Sequence, residues 1–270
     1  MMDRVERYRS TARQALVALL RETGSPRTLH RLRTHLRRLQ AYLELAGEVD
    51  QARLLSDRVS GLSRLRTLHV FERYLTTIDA PAKDIRPVAR CIAKVTRKVT
   101  HSHVYEDLIE QLDRLQIRSA AIPPRWMQER LRLSRMQHAE AVRKLIMEAT
   151  AHPRRRCLHA LRLRIKSIRY QEEWADCRSG RARDLLRILK HAQTVLGKYE
   201  ERVQFTKLAT KMELRSVCTV DKDRRRARKR ARTLPSQLMT IVERLRVKAM
   251  QAREDGAMPR RTQRARAYAG

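Results

Sequence analysis

Residues 29–40, LHRLRTHLRRLQ, and residues 158–169, LHALRLRIKSIR, match at a constant offset of 129. Leu29, His30, Leu32, Arg33, Leu36, Arg37 and Leu39 align with Leu158, His159, Leu161, Arg162, Ile165, Lys166 and Ile168. The matched positions fall into two sets. Leu29, Leu32, Leu36, Leu39 and Leu43 recur at alternating intervals of three and four, which draws an apolar seam along one side of an α-helix. His30, Arg33 and Arg37 recur at the same intervals one position later, a second stripe about 100° around the helix. His159, Arg162, Lys166 and Arg169 make the equivalent stripe in the second copy, with Tyr170 at its edge. A basic stripe so close to a buried seam borders a groove between helices. The competing reading is an ordinary solvated face of an Arg-rich helix, and a histidine heading the stripe in both places weighs against it. The recurrence reads as an internal duplication.

The rest of the chain keeps helical periodicity almost throughout. Gly and Pro together number 15 (7 + 8) and aromatic residues make up 4%, so breakers and β-formers are both scarce. The fold class expected is all-α: two four-helix bundles related by a pseudo-twofold axis, with a basic cleft between them. Ser25 followed by Pro26 reads as an N-cap and first helical residue. Helices are expected from Asp3 to about residue 24, then to Ala46–Gly47, to Ile78, and from Lys83 to Ile117 with a break near Thr100–Ser102. Pro123–Pro124 marks the interior boundary. Helices at about 125–150, 154–176, 181–214 and 221–250 follow. This gives a first repeat over 1–120, a second over 121–250, and a flexible basic tail over 251–270.

Charge then narrows the function. Lys plus Arg number 62 against 29 Asp plus Glu, a formal net charge of +33, and 50 of the 62 are Arg. Hydrophobic residues at 42% are too many for a disordered basic tail, so the charge sits on a folded object. Such a surplus repels itself unless a polyanion is usually near. Guanidinium pairs bidentately with phosphate oxygens and stays charged at every physiological pH, so phosphate is the expected ligand group. Nucleic acid, an acidic membrane surface and inorganic polyphosphate all qualify. The longest apolar runs, such as Ala15–Leu20, are far short of the roughly 20 residues a membrane span needs. An N-terminus reading MMDRVERY resembles neither a secretory signal nor an acid-poor transit peptide. Cys91, Cys157, Cys177 and Cys218 are scattered and read as reduced thiols, so a cytoplasmic location is expected.

The motif H-x-x-R-x-x-x-[RK], occurring twice in an all-helical chain, resembles the conserved-histidine α-helical domain, or CHAD, family. LHALRLRIKSIRY is similar to that family's H-x-L-R-I-x-x-K-R-x-R-Y, departing at Leu163 and Ser167. LLRILKHAQTVLGKYEERV resembles its LK-x-x-Q-x-x-LG-x-x-x-D, with Glu201 in place of Asp. LSRLRTLHV resembles LG-x-x-RD-x-DV, but Ser63, Thr67 and His69 replace the Gly and the two acids. The resemblance covers about residues 1–250. It implies a shared basic cleft that binds inorganic polyphosphate, with association with polyphosphate granules. The implied ligands are His30, Arg33, Arg37, Arg38, His159, Arg162, Lys166, Arg169, Tyr170 and Lys190. Arg183 and Arg187 share a helical face with Lys190 and are added to them. His30 and His159 are expected to gain charge once a polyanion raises their pKa.

Other constellations are weaker. His101-x-His103 reads as a solvated helix break, since residues i and i+2 on a helix point apart. Glu172–Glu173, Glu200–Glu201 and Glu106–Asp107 read as helix ion pairs. Trp126, Trp174, Phe71 and Phe205 read as core residues. No Gly-rich phosphate loop occurs, no cofactor or metal set is expected, and nothing has the spacing of a catalytic constellation. The expectation is therefore a non-enzymatic polyphosphate-binding protein. The alternatives are a nucleic-acid-binding protein using the same basic surface, and a scaffold for an acidic partner. Eleven aromatics, mostly needed in cores, count against base stacking. The run RRRARKRAR at 224–232 could extend the polyphosphate track, bind nucleic acid non-specifically, or be a soluble basic helix. Oligomeric state is not written in the sequence.

Overall fold

A computed structural model describes residues 2–21, 25–115, 124–174 and 180–257. Within them lie eleven α-helices and no strand. The first half holds α1 (Met2–Arg21), α2 (Pro26–Ala46), α3 (Val49–Gly61), α4 (Ser63–Thr77), α5 (Ala82–His101) and α6 (Val104–Arg114). The second half holds α7 (Pro124–Ala151), α8 (Arg155–Glu172), α9 (Gly180–Lys211), α10 (Val217–Thr233) and α11 (Met239–Ala257). The all-α expectation holds.

Local chemistry sets the helix ends. Ser25 Oγ accepts from the Thr28 N–H at 3.4 Å, and Pro26 opens α2. Gly47 closes it at φ 83°, a left-handed cap that a Cβ would strain. The expected break after α5 is present: His103 sits at φ 51° and both histidines of the pair are exposed. Two further breaks were not expected. Leu62 separates α3 from α4, and Pro235, which cannot donate to the helical ladder, ends what would be one helix over 221–250. At the far end α11 runs to Ala257, beyond the start of the expected tail. Residues 258–270, like Pro123 and Cys177, lie outside the described residues.

Three apolar cores form. The first joins α1, α2, α3 and α6 around Leu16, Leu29, Leu32, Leu36, Leu55 and Tyr105. The second joins α7, α8, α11 and the first part of α9 around Leu158, Leu161, Ile165, Leu189 and Leu245. The order of packing runs in parallel, with α1 against α2 and α6, and α7 against α8 and α11. The third core belongs to neither bundle. Phe71, Tyr74 and Leu75 of α4 and Val88 of α5 meet Phe205 and Ala209 of α9 and Val220 of α10. The Phe71 and Phe205 ring centroids are 5.0 Å apart.

Polar contacts reinforce the join. Buried Asp84 of α5 accepts from the backbone N–H groups of Arg215 and Ser216 and from Ser216 Oγ, at 3.0, 2.7 and 2.5 Å. It thus caps α10 from the other half of the chain. The acidic pairs mostly bridge helices instead of lying within one. Glu172 is buried between Arg135 of α7, at 2.7 Å, and Lys248 of α11, at 2.9 Å. Asp107 pairs with Arg58 at 2.8 Å. Trp126 is not a core residue: it is 40% exposed and lies under the Arg130 guanidinium. The other three aromatics singled out are buried.

Candidate functional site

Both leucine seams are buried, so the flanking stripes are fixed beside them. Helices α2 and α8 pack against each other and turn those stripes toward a common groove. Its main section, about 470 Å³, is lined by Arg33 and Arg37 of α2, Arg66 of α4, and His159, Arg162 and Lys166 of α8. A contiguous section of about 210 Å³ shares Arg37 and Lys166 and ends at Tyr170. Past His159, a third recess is lined by Arg154, Arg155 and Arg156 at the start of α8.

The cations are half-buried and crowded. Burial, with Arg37, Arg162, Arg33 and Arg66 close by, pushes Lys166 down to about 7. Burial, then Arg37 and Arg66, pushes Arg33 down to about 10. Arg37 and Arg162 are lowered too, chiefly by burial. Their partners are sparse. Arg33 donates to the Val59 carbonyl, and Arg37 donates to Gln40 Oε1 at 2.7 Å. The Nε atoms of Arg37 and Arg162 are buried without a hydrogen-bond partner. Orphaned donors beside mutually repelling cations are what a pre-formed anion site looks like before its ligand arrives.

Acids enter from α9 in the main section and from α2, through Glu44, in the section that ends at Tyr170. Glu201 of α9 accepts from Arg66 at 3.1 Å, and Glu200 accepts from Arg155 at 2.6 Å and lies 3.5 Å from His159 Nδ1. On α4 the corresponding residues are Arg66 and Thr67. His69, one turn from Arg66, has both ring nitrogens buried without a partner, and burial lowers its pKa.

The remaining expected ligands are dispersed. His30 stands exposed on the same stripe, and burial with Arg66, Arg33 and Arg73 lowers its pKa. Arg38 and Arg169 are drawn to Glu173 at 2.9 and 3.4 Å. For Arg38, burial is the largest influence and disfavours the charge, but the Glu173 bond and carboxylate charge, with Tyr8 and Tyr170 adding to them, together raise the pKa. The Arg38–Glu173 pair ties the halves together, as does Trp174, whose Nε1–H donates to the Arg38 carbonyl at 2.9 Å, whereas Arg169 reaches Glu173 within the second half. Arg169 also stacks 4.4 Å over Tyr170, which places that ring at the groove's end. Lys190, Arg183 and Arg187 are exposed on the first half of α9 and line none of these sections; Arg187 pairs with Asp184 at 3.3 Å. Arg66 was not among the expected ligands. Its signal lay in LSRLRTLHV, where it occupies the Arg of the quoted pattern.

A family model for the CHAD domain matches residues 5–210, which takes in every helix lining the groove. The chain belongs to the CHAD domain family. The crystal structure of the CHAD domain from the plant Ricinus communis has the same fold. Its TM-score is 0.60 at 20% identity, over 89% of this chain and 88% of that one. No curated protein matches this sequence. None of the described helices is long and apolar enough to cross a membrane.

Proposed function

We propose that this CHAD domain binds inorganic polyphosphate, without catalysis, in the groove between α2 and α8, and that this binding carries it to polyphosphate granules in the cytoplasm. CHAD domains are associated with polyphosphate binding in general. The observation that carries the reading here is the density of cations: Arg33, Arg37, Arg66, Arg162 and Lys166 crowd together until Lys166 is held near 7. A ligand with a charge on every phosphate and no sugar between them relieves that repulsion. It also satisfies the orphaned guanidinium donors. An internal duplication that set one basic stripe on each side of the groove accounts for the 129-residue recurrence.

The experiment is a titration with long-chain polyphosphate at near-physiological salt, with RNA and duplex DNA of matched charge in parallel. It is repeated on a variant with Arg33, Arg37, Arg162 and Lys166 all changed to Glu. The proposal expects polyphosphate to bind about tenfold or more tighter than the nucleic acids, and the folded variant to lose about a thousandfold in affinity. Equal affinities for all three polymers, or retained affinity in the variant, would refute it.

A further inference from the structure

The dense run 224–232 lies in α10 and takes no part in the groove described above. Its arginines serve two sets of neighbours. Arg224 and Arg225 are turned to Asp221 at 2.7 and 2.9 Å. Arg226 and Arg230 instead face α9 across a separate groove of about 690 Å³. Lys198 and Arg202 stand on the opposite wall, and Val195, Ala227 and Leu234 give the groove an apolar lining. The single carboxylate there, Asp223, is held by the Tyr74 hydroxyl, which donates to it at 2.9 Å, and lies 3.6 Å from Arg226. Lys198 and Arg230 are exposed and have no ion-pair partner among the described residues.

We infer that the α9/α10 groove is a second site, one that binds single-stranded nucleic acid. Lys198 and Arg202 on one wall and Arg226 and Arg230 on the other are each one helical turn apart, a pair of cations on either side for a phosphate backbone laid along the groove. The groove also offers surface that bare phosphate has no use for. Val195, Ala227 and Leu234 can cover a sugar or a base face. The Arg202 guanidinium lies 3.9 Å over the Tyr74 ring and 5.2 Å from the Phe205 ring, which fixes it on the groove wall as a phosphate contact. His191, Thr194 and Gln237 also line the groove and can hydrogen-bond a sugar or an unpaired base, while the cations follow the backbone.

The site is tested with a fluorescent, mixed-sequence single-stranded RNA, in the presence and absence of one equivalent of polyphosphate. The first variant is Lys198→Glu with Arg230→Glu, two exposed positions whose change leaves the helical circular dichroism intact. The second is Arg37→Glu with Lys166→Glu. The inference expects the first variant to lose RNA affinity about tenfold and to lower the salt slope by about two, with polyphosphate binding unchanged. It also expects RNA to stay bound when polyphosphate is added. Any of three results would overturn it: RNA affinity unchanged in the first variant, an equal loss for both polymers, or loss of binding to phosphatidylserine vesicles with RNA binding intact. If the second variant keeps its polyphosphate affinity while the first loses RNA, the polyphosphate assignment falls and this one stands.

Discussion

Helices α4 and α9 close the groove from opposite sides, and they are built on one pattern with opposite charge. At an offset of 134, Leu62, Phe71 and Leu75 align with Leu196, Phe205 and Ala209, all of them buried. The same offset sets Arg66 and Thr67 against Glu200 and Glu201. The apolar positions agree because Leu62 and Leu196 each pack into the core of their own half, while Phe71, Leu75, Phe205 and Ala209 share the third core. The polar positions differ because nothing in that core constrains them. As a result the α9 wall restrains its cations with carboxylates, while the α4 wall adds a cation and offers Arg33 and Arg37 no carboxylate; the Glu44 beside Arg37 comes from α2 itself. Packing tolerates this asymmetry, and charge makes use of it.

The strongest way to break the comparison is through the shared core. Phe71→Ala and Phe205→Ala should each cost about 3–5 kcal/mol in denaturant unfolding, since each empties one side of the same ring contact. A cost below about 1 kcal/mol for either would mean that the walls do not share that core. Ligand should act nearly as strongly. Polyphosphate at about a hundred times its dissociation constant should raise the melting temperature by about 5–10 °C. No rise would show that the cation crowding is not relieved by binding.

Exchanging charge between the walls is the sharper test. Thr67→Glu gives α4 the acid that α9 carries and should weaken polyphosphate binding about tenfold, about 1.4 kcal/mol. Glu201→Gln releases Arg66 and should strengthen it by up to about the same factor. Opposite shifts are required; if both variants weaken binding, Glu201 is a positioning residue and the asymmetry is incidental. The smallest effect is expected at Gly197, where an added Cβ would sit 3.7 Å from Arg162 Nε, an ordinary contact. Gly197→Ala should stabilise α9 by about 0.5–1 kcal/mol and leave binding unchanged.

The sequence made the local elements readable. Ser25 and Pro26 marked the start of α2, the leucine intervals marked its buried side, and the stripe one position along set Arg33, Arg37, Arg162 and Lys166 beside a groove, the family resemblance implying that they share it. What was hidden is tertiary. A helical angle says which side a residue faces but not which turn is covered, so Lys190, Arg183 and Arg187 share a face without reaching the groove. Arg38 and Arg169 sit at the right angle too, but Glu173, contributed from beyond the motif, claims them. Arg66 was overlooked because its partner Glu201 is 135 residues away. The breaks at Leu62 and Pro235 were lost because the apolar spacing continues across both.

The central claim is that a buried, partly discharged cation cluster receives the polyanion, and Lys166 reports on it. In the free protein its pKa is near 7, and a bound polyanion must raise it. Above about pH 7 binding therefore takes up a proton, and affinity falls as pH rises, by at most about tenfold per unit. For folding the sign is reversed: the lowered pKa makes the free protein gain stability from about pH 7 toward the lysine's ordinary value, where only the unfolded chain still binds the proton. Titration calorimetry in two buffers of different ionisation enthalpy at about pH 7.5 measures the uptake directly. The account predicts proton uptake on binding, most of which is lost in Lys166→Met, the remainder belonging to His30 and His159. Tight binding with no proton uptake would contradict it.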